Sequence, residues 1–143
     1  MITIVPVSLA HTKALQRMEG LFFTMGTEEQ AKVVVEMSIG FSMVEGDKVL
    51  GCCGVIKMWH GVGTMWMMVS EELKKRPRLL LTTAREITML IAVNHRFHRL
   101  ELFMNPELKK HIRFIEALGF TFEGRMIKHT VDKKDHLLYA KTF

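Results

Sequence analysis

The sequence predicts an α+β domain: a central, mostly antiparallel sheet of seven strands, with strands four and five parallel and four helices flanking it. Three observations predict it. Strand-period and helix-period segments follow one another as strand, two helices, three strands, helix, strand, helix, two strands. A long amphipathic helix separates strands four and five, and such a connection lays consecutive strands side by side in parallel through a right-handed crossover. Near the end, residues 111–124, HIRFIEALGFTFEG, pass from helix to strand through one glycine. Ile112, Ile115 and Leu118 recur at helical spacing with Phe114 beside them, Gly119 can close the helix in the left-handed conformation, and Phe120 and Phe122 alternate with polar neighbours.

The elements follow in order. Ile2 to Val5, ended by Pro6, reads as the first strand, and Ser8 can cap a helix carrying Leu9, Ala14, Leu15 and Met18. Gly26-Thr27 breaks the chain, and Thr27 with Gln30 has the capping-box pattern for a second helix through Met37. Phe41 to Val44 and Val49 to Lys57 flank the turn Glu45-Gly46-Asp47-Lys48, and His60-Gly61-Val62-Gly63 turns the chain again before Thr64 to Val69. Pro77 suits the first turn of a helix whose apolar positions run from Leu80 to Ile91 and on to about Asn94. His98 to Met104 is the fifth strand, Pro106 opens the last helix, and Phe120 to Val131 and Leu137 to Thr142 form a final pair around Asp132-Lys133-Lys134-Asp135.

The 143 residues, 48% of them hydrophobic, fit one domain, residues 1–143, with a substantial core. Apolar stretches such as Leu79 to Leu81 and Met89 to Val93 are broken well before the roughly 20 residues of a membrane span. MITIVPVSL lacks the basic and long apolar regions of an export signal, so a soluble, cytoplasmic chain is expected. Cys52 and Cys53 are adjacent on a strand, pointing to opposite faces as structural thiols; with scattered histidines, no metal site is expected. The twelve methionines suit an adaptable core or a contact surface that would permit self-association. The net charge of +5 gathers in Lys74, Lys75, Arg76 and Arg78 and in Lys109, Lys110 and Arg113. Such runs meet a phosphorylated cofactor, an acidic protein or nucleic acid, and the scarcity of interleaved aromatics argues against the last.

The helix, glycine and "GF" strand entry near the C-terminus, with the order of elements, resemble the GNAT acetyltransferase superfamily. That resemblance implies that strands four and five splay apart and that acetyl-CoA occupies the cleft between them. GNAT enzymes follow strand four with Q/R-x-x-G-x-G/A, whose bare N–H groups and helix N-terminus hold the pyrophosphate. Aligned on Met67-Met68-Val69-Ser70, this chain reads Lys74-Lys75-Arg76-Pro77-Arg78-Leu79, with Lys74 at the Q/R position and Pro77 and Leu79 at the small ones. Proline removes one donor and leucine adds bulk; two lost hydrogen bonds to a charged group would cost about 3–6 kcal/mol, or two to four orders of magnitude in affinity. Side chains of Lys74, Lys75, Arg76 and Arg78 would recover part of it as point charges. Strand-four amides near Met67 to Val69 would polarise a thioester.

The tyrosine that many GNAT enzymes place four residues before the helix-ending glycine is Ile115 here, which cannot donate a proton. Tyr139, the only tyrosine, is the remaining candidate donor or a packing residue. Among candidate bases, Glu45 falls in a turn and Glu36 near a helix end. His60, beside Trp59 at the strand-four mouth where an amine would enter, is the best of them.

A narrower resemblance rests on MWMMVSEELKKRPRLLL and HIRFIEALGF, which are similar to the internal virion protein A family of short-tailed phages. It is carried by Trp66 with Val69-Ser70, by Lys74 to Arg78 and by His111 to Phe114. It implies a bacteriophage assembly or internal virion protein, in host cytoplasm or virion, whose fold serves protein contacts and whose acetyl-CoA site is degenerate. The alternative is an acetyl-CoA-dependent N-acyltransferase that transfers an acetyl group to an amine through an altered phosphate loop.

Overall fold

The computed structural model describes residues 1–15 and 28–143; the expected break at Gly26-Thr27, the Thr27 cap and Met18 lie outside them. The elements are β1 (Ile2–Pro6), α1 (Leu9–Leu15), α2 (Glu28–Met37), β2 (Ser38–Glu45), β3 (Lys48–Trp59), β4 (Val62–Val69), α3 (Glu71–Lys74), α4 (Pro77–Asn94), β5 (Arg99–Met104), α5 (Lys109–Ala117), β6 (Thr121–Met126) and β7 (His136–Thr142). Seven strands form one sheet in the order β1-β2-β3-β4-β5-β7-β6. Every junction is antiparallel except β4–β5, so the expected mixed sheet stands.

Five helices are described where four were expected. The additional α3 begins at Ser70, whose hydroxyl accepts the N–H of Leu73 at 3.1 Å, while Glu71 and Glu72 sit in the first turn where the helix dipole favours acids. Leu73 then plugs into the core, which turns a stretch expected to be loop into one helical turn. The penultimate strand is shorter than expected, ending at Met126 and not Val131. Asp135 accepts the N–H of Lys128 and the Nε of Arg125, and Thr130 holds both Asp132 and Lys134, so side chains organise the connecting loop in place of a ladder.

The sheet divides the core. On one face, Met43, Val55, Met65, Met67 and Val69 pack against Leu73 and against Ala84, Ile87 and Ile91 of α4, and Leu100, Leu102 and Met104 share that cluster with Ile115 of α5. On the other, Cys52, Trp66 and Met68 meet Leu15 of α1 and Ala31 of α2. The two thiols are buried and unpaired with each other, and burial pushes each pKa up to about 12, so they are inert packing groups at neutral pH. No described helix is long and apolar enough to cross a membrane. Among the described residues no group of three or more His, Cys, Asp or Glu could hold a metal ion.

Candidate functional site

The parallel junction is a fork. Val62 pairs with Arg99, Gly63 with Leu100 and Thr64 with Glu101, and there the pairing ends. Beyond it each strand keeps only its outer neighbour, β4 on β3 as far as Val69 and β5 on β7 as far as Met104. A V-shaped gap opens toward the C-terminal ends of both strands.

The closed end is tightly specified. Gly61, at φ 78°, accepts the N–H groups of His98 and Arg99 at 2.9 and 3.1 Å, and the His98 ring lies where a Cβ would stand. A Cβ on Gly63 would meet Val55 Cγ1 at 2.4 Å, so the strand passes directly beneath that side chain. Arg99 donates Nε to Glu101 at 2.8 Å and grips both carboxylate oxygens of Glu123 with its two terminal nitrogens. Hydrogen bonds first to Glu123 and then to Glu101 hold the guanidinium proton more firmly than usual, and the Arg99 hydrogen bond holds the Glu123 carboxyl below its ordinary range.

Backbone geometry defines the open end. Ser70 donates its N–H to the Leu50 carbonyl at 2.9 Å. In an antiparallel ladder that direction alternates, so Met68 and Trp66 also turn their N–H groups toward β3, and Met65, Met67 and Val69 turn theirs away from it; that of Met65 closes the last parallel pair on Glu101, and those of Met67 and Val69 point into the gap. On the opposite wall Phe143 donates to the His98 carbonyl, which by the same alternation sends the N–H of Phe103 inward. The flanking side chains Met65, Trp66, Met67, Met68, Leu102 and Met104 are all buried and apolar. Backbone donors inside an apolar slot suit a polar group that arrives on an apolar arm. Beneath α4, a small apolar cavity of about 30 Å³ lies beside Met67, Leu80 and Ile87.

Past Val69 the chain turns through α3 into α4. Pro77 is the first residue of α4, and Leu80 is the first whose N–H returns to the chain in this turn, on the Arg76 carbonyl at 3.0 Å. The N–H groups of Arg78 and Leu79 therefore stay available, and the Leu79 side chain packs partly against the core. The expected loss of two donors is corrected to one, because leucine keeps its N–H and only proline lacks it. Of the four basic side chains, Lys74 pairs with Glu71 at 3.0 Å and Arg76 with Glu45 at 3.3 Å, while Lys75 and Arg78 are exposed without an ion-pair partner among the described residues.

The expected site residues therefore divide. Met67, Val69, Lys74, Lys75, Arg76 and Arg78 gather at the open end, as the alignment with the glycine loop required. His60 is exposed in the β3–β4 turn, at the closed end, so the strand-four mouth expected to receive an amine is the paired base of the fork. Tyr139 lies on β7, across from Leu102 and separated from the gap by β5; its ring stacks on Phe122 at 5.7 Å. Burial, then the nearby Glu116, raises its phenol pKa, so it holds its proton at neutral pH. Glu45 is engaged with Arg76 and Glu36 with Lys32. Ile115 is fully buried in α5.

Sequence reasoning missed Glu101, the carboxylate at the last paired position of the fork. Its signal was present: Leu100, Leu102 and Met104 set one face of β5, which puts Glu101 on the other, beside Thr64.

No protein-family model matches the chain, and no curated protein matches it significantly. Solved structures do. An N-acetyltransferase from Staphylococcus aureus is similar with a TM-score of 0.79 over 99% of this chain and 97% of its own, at 13% identity. An IAA acetyltransferase from Bacillus cereus is similar at 0.77 over 100% of both chains, at 15% identity. An acetyltransferase of the GNAT family from Streptococcus pneumoniae is similar at 0.69 over 100% of this chain and 99% of its own, at 15% identity. At these identities the likeness is one of fold, and the fold is that of the GNAT acetyltransferases. The narrower resemblance to phage internal virion proteins gains no support from these comparisons.

Proposed function

We propose that the chain is an acetyl-CoA-dependent N-acyltransferase acting on an amine. The observation that carries this reading is the fork itself: β4 leaves the N–H groups of Met67 and Val69 without a strand partner inside an apolar gap. Unpaired backbone donors are costly in a sheet interior, so a fold that keeps them open points to an occupant that accepts their hydrogen bonds. The residues fit acetyl-CoA. Arg78 and Leu79 N–H groups with the Lys75 and Arg78 side chains would hold its phosphates, the buried methionines and Leu102 would line its apolar arm, and a β4 amide would receive the acyl oxygen as negative charge develops on it. The cofactor supplies an acyl group activated as a thioester; the chain aligns it and excludes water.

Ile115 supplies no proton, so turnover is expected about 10²- to 10⁴-fold below that of a fork with a placed donor. A second reading, the virion assembly scaffold, draws on the same substitution together with Pro77. Calorimetric titration with acetyl-CoA separates the two. Saturable binding that persists at high salt supports the enzyme, and no heat at about millimolar ligand removes it.

A further inference from the structure

Helix α4 presents two unlike faces. Ala84, Ile87, Thr88, Ile91 and Ala92 are buried against the sheet. On the outward side Met89, Leu90 and Val93 stand 47%, 49% and 65% exposed, lining a shallow groove with Arg85, Glu86 and Asn94, and Arg85 is turned onto the Ala117 carbonyl, to which it donates at 2.8 Å. The outer face of a surface helix is ordinarily polar, and adjacent large apolar side chains there mark an interaction surface. With Arg85 engaged by Ala117, the charges left for a partner at its two ends are opposite. Glu86 lies three residues before Met89 and Arg96 three after Val93; both are exposed, and neither has an ion-pair partner among the described residues.

We propose that this stripe is a self-interface through which two copies of the chain pair, α4 antiparallel to α4, about a twofold axis. An isologous contact requires that if one residue meets a second, the second meets the first. With the axis between Met89 and Val93, Met89 of each copy packs on Val93 of the other, and Glu86 of each reaches Arg96 of the other. The ion pair therefore forms twice. A parallel pairing would set Glu86 beside Glu86 and align the helix dipoles, so the charge pattern selects the antiparallel arrangement. The opposite signs at the two ends also suit a second copy better than an anionic lipid surface, which Glu86 would repel. From Glu86 to Arg96 the stripe is about 16 Å long, shorter than a standard interface, so the dimer dissociates at about 10–100 µM.

Sedimentation velocity on the whole chain from about 5 to 500 µM tests this, with a reversible monomer–dimer equilibrium as the expected result. Val93→Glu is expected to weaken it about 100-fold by burying an unpaired charge. Glu86→Arg and Arg96→Glu should each weaken it about 10-fold, and the two together should restore it to within about 3-fold, because the pair is rebuilt with its signs exchanged. All three positions are exposed, and unchanged thermal melts would verify that the variants fold. A monomer throughout, a dimer indifferent to Val93→Glu, or no rescue by the double reversal would overturn the proposal. So would a monomer that sediments with anionic vesicles through Val93. None of these outcomes depends on acetyl-CoA binding.

Discussion

The closed end of the fork is held by polar and steric contacts of single residues, Gly61 under His98, Gly63 under Val55, and Arg99 between Glu101 and Glu123. The open end is held by apolar mass on both faces of the sheet, Met67 and Val69 against α3 and α4 and Trp66 and Met68 against α1 and α2. The difference teaches how a sheet can part without unravelling. Contacts at the base fix where pairing stops, and bulky side chains above and below replace the lost ladder on the walls while the backbone between them stays free to bond something else.

Removing the apolar mass should produce the largest effect. Trp66 is buried, and its Nε1 donates to Ser38 Oγ at 2.8 Å; Trp66→Ala is expected to cost about 3–5 kcal/mol, read as a lower urea midpoint. A loss under about 1 kcal/mol would mean that the open wall does not rest on this side chain. Next, Pro77→Gly restores the missing donor at the head of α4 and should tighten acetyl-CoA about 10- to 100-fold in calorimetry. No gain would place the phosphates elsewhere.

At the base, Gly63→Ala forces a methyl toward Val55 and Phe97, both buried. The expected cost is about 1–3 kcal/mol in urea unfolding, with the fork widened and acetyl-CoA affinity altered with it. The smallest effect is electrostatic. The Glu123 carboxyl is held below its ordinary range by Arg99, so its contribution is present above the unfolded carboxyl pKa and lost as pH falls through the folded one. Wild type should therefore exceed Glu123→Gln in stability at pH 7, and the two urea curves should converge as pH falls through the folded carboxyl's depressed pKa. A gap that persists in acid would assign the difference to packing.

Local signals were legible where a single residue type dictates backbone geometry. Pro77 and the helical spacing beyond it place α4 at its observed bounds, Pro77–Asn94, and Gly119 closes α5 before Phe120. Ser70 ahead of Glu71 and Glu72 is also a legible helix start, but the basic run that follows matches the position of a phosphate loop and masks it. The strand expected to reach Val131 stops early because Lys128 and Lys133 take left-handed conformations held by Asp135 and Thr130, contacts that no periodicity reports. For the site, alignment with the glycine loop brought the right residues to the open end. It gave no means of seeing that Glu45, 31 residues away in sequence, neutralises Arg76.

Hydrophobic period, proline and glycine are properties of neighbouring residues, and they sufficed to specify the order of the strands, every helix but α3, and the mixed sheet those elements build. Three matters waited on the folded chain: the position at which β4 and β5 part, the inward turn of the Met67 and Val69 amides, and the company kept by each basic side chain. Each depends on which distant strands pair and in what register, and register is settled by packing across the whole sheet, which no local stretch of sequence contains.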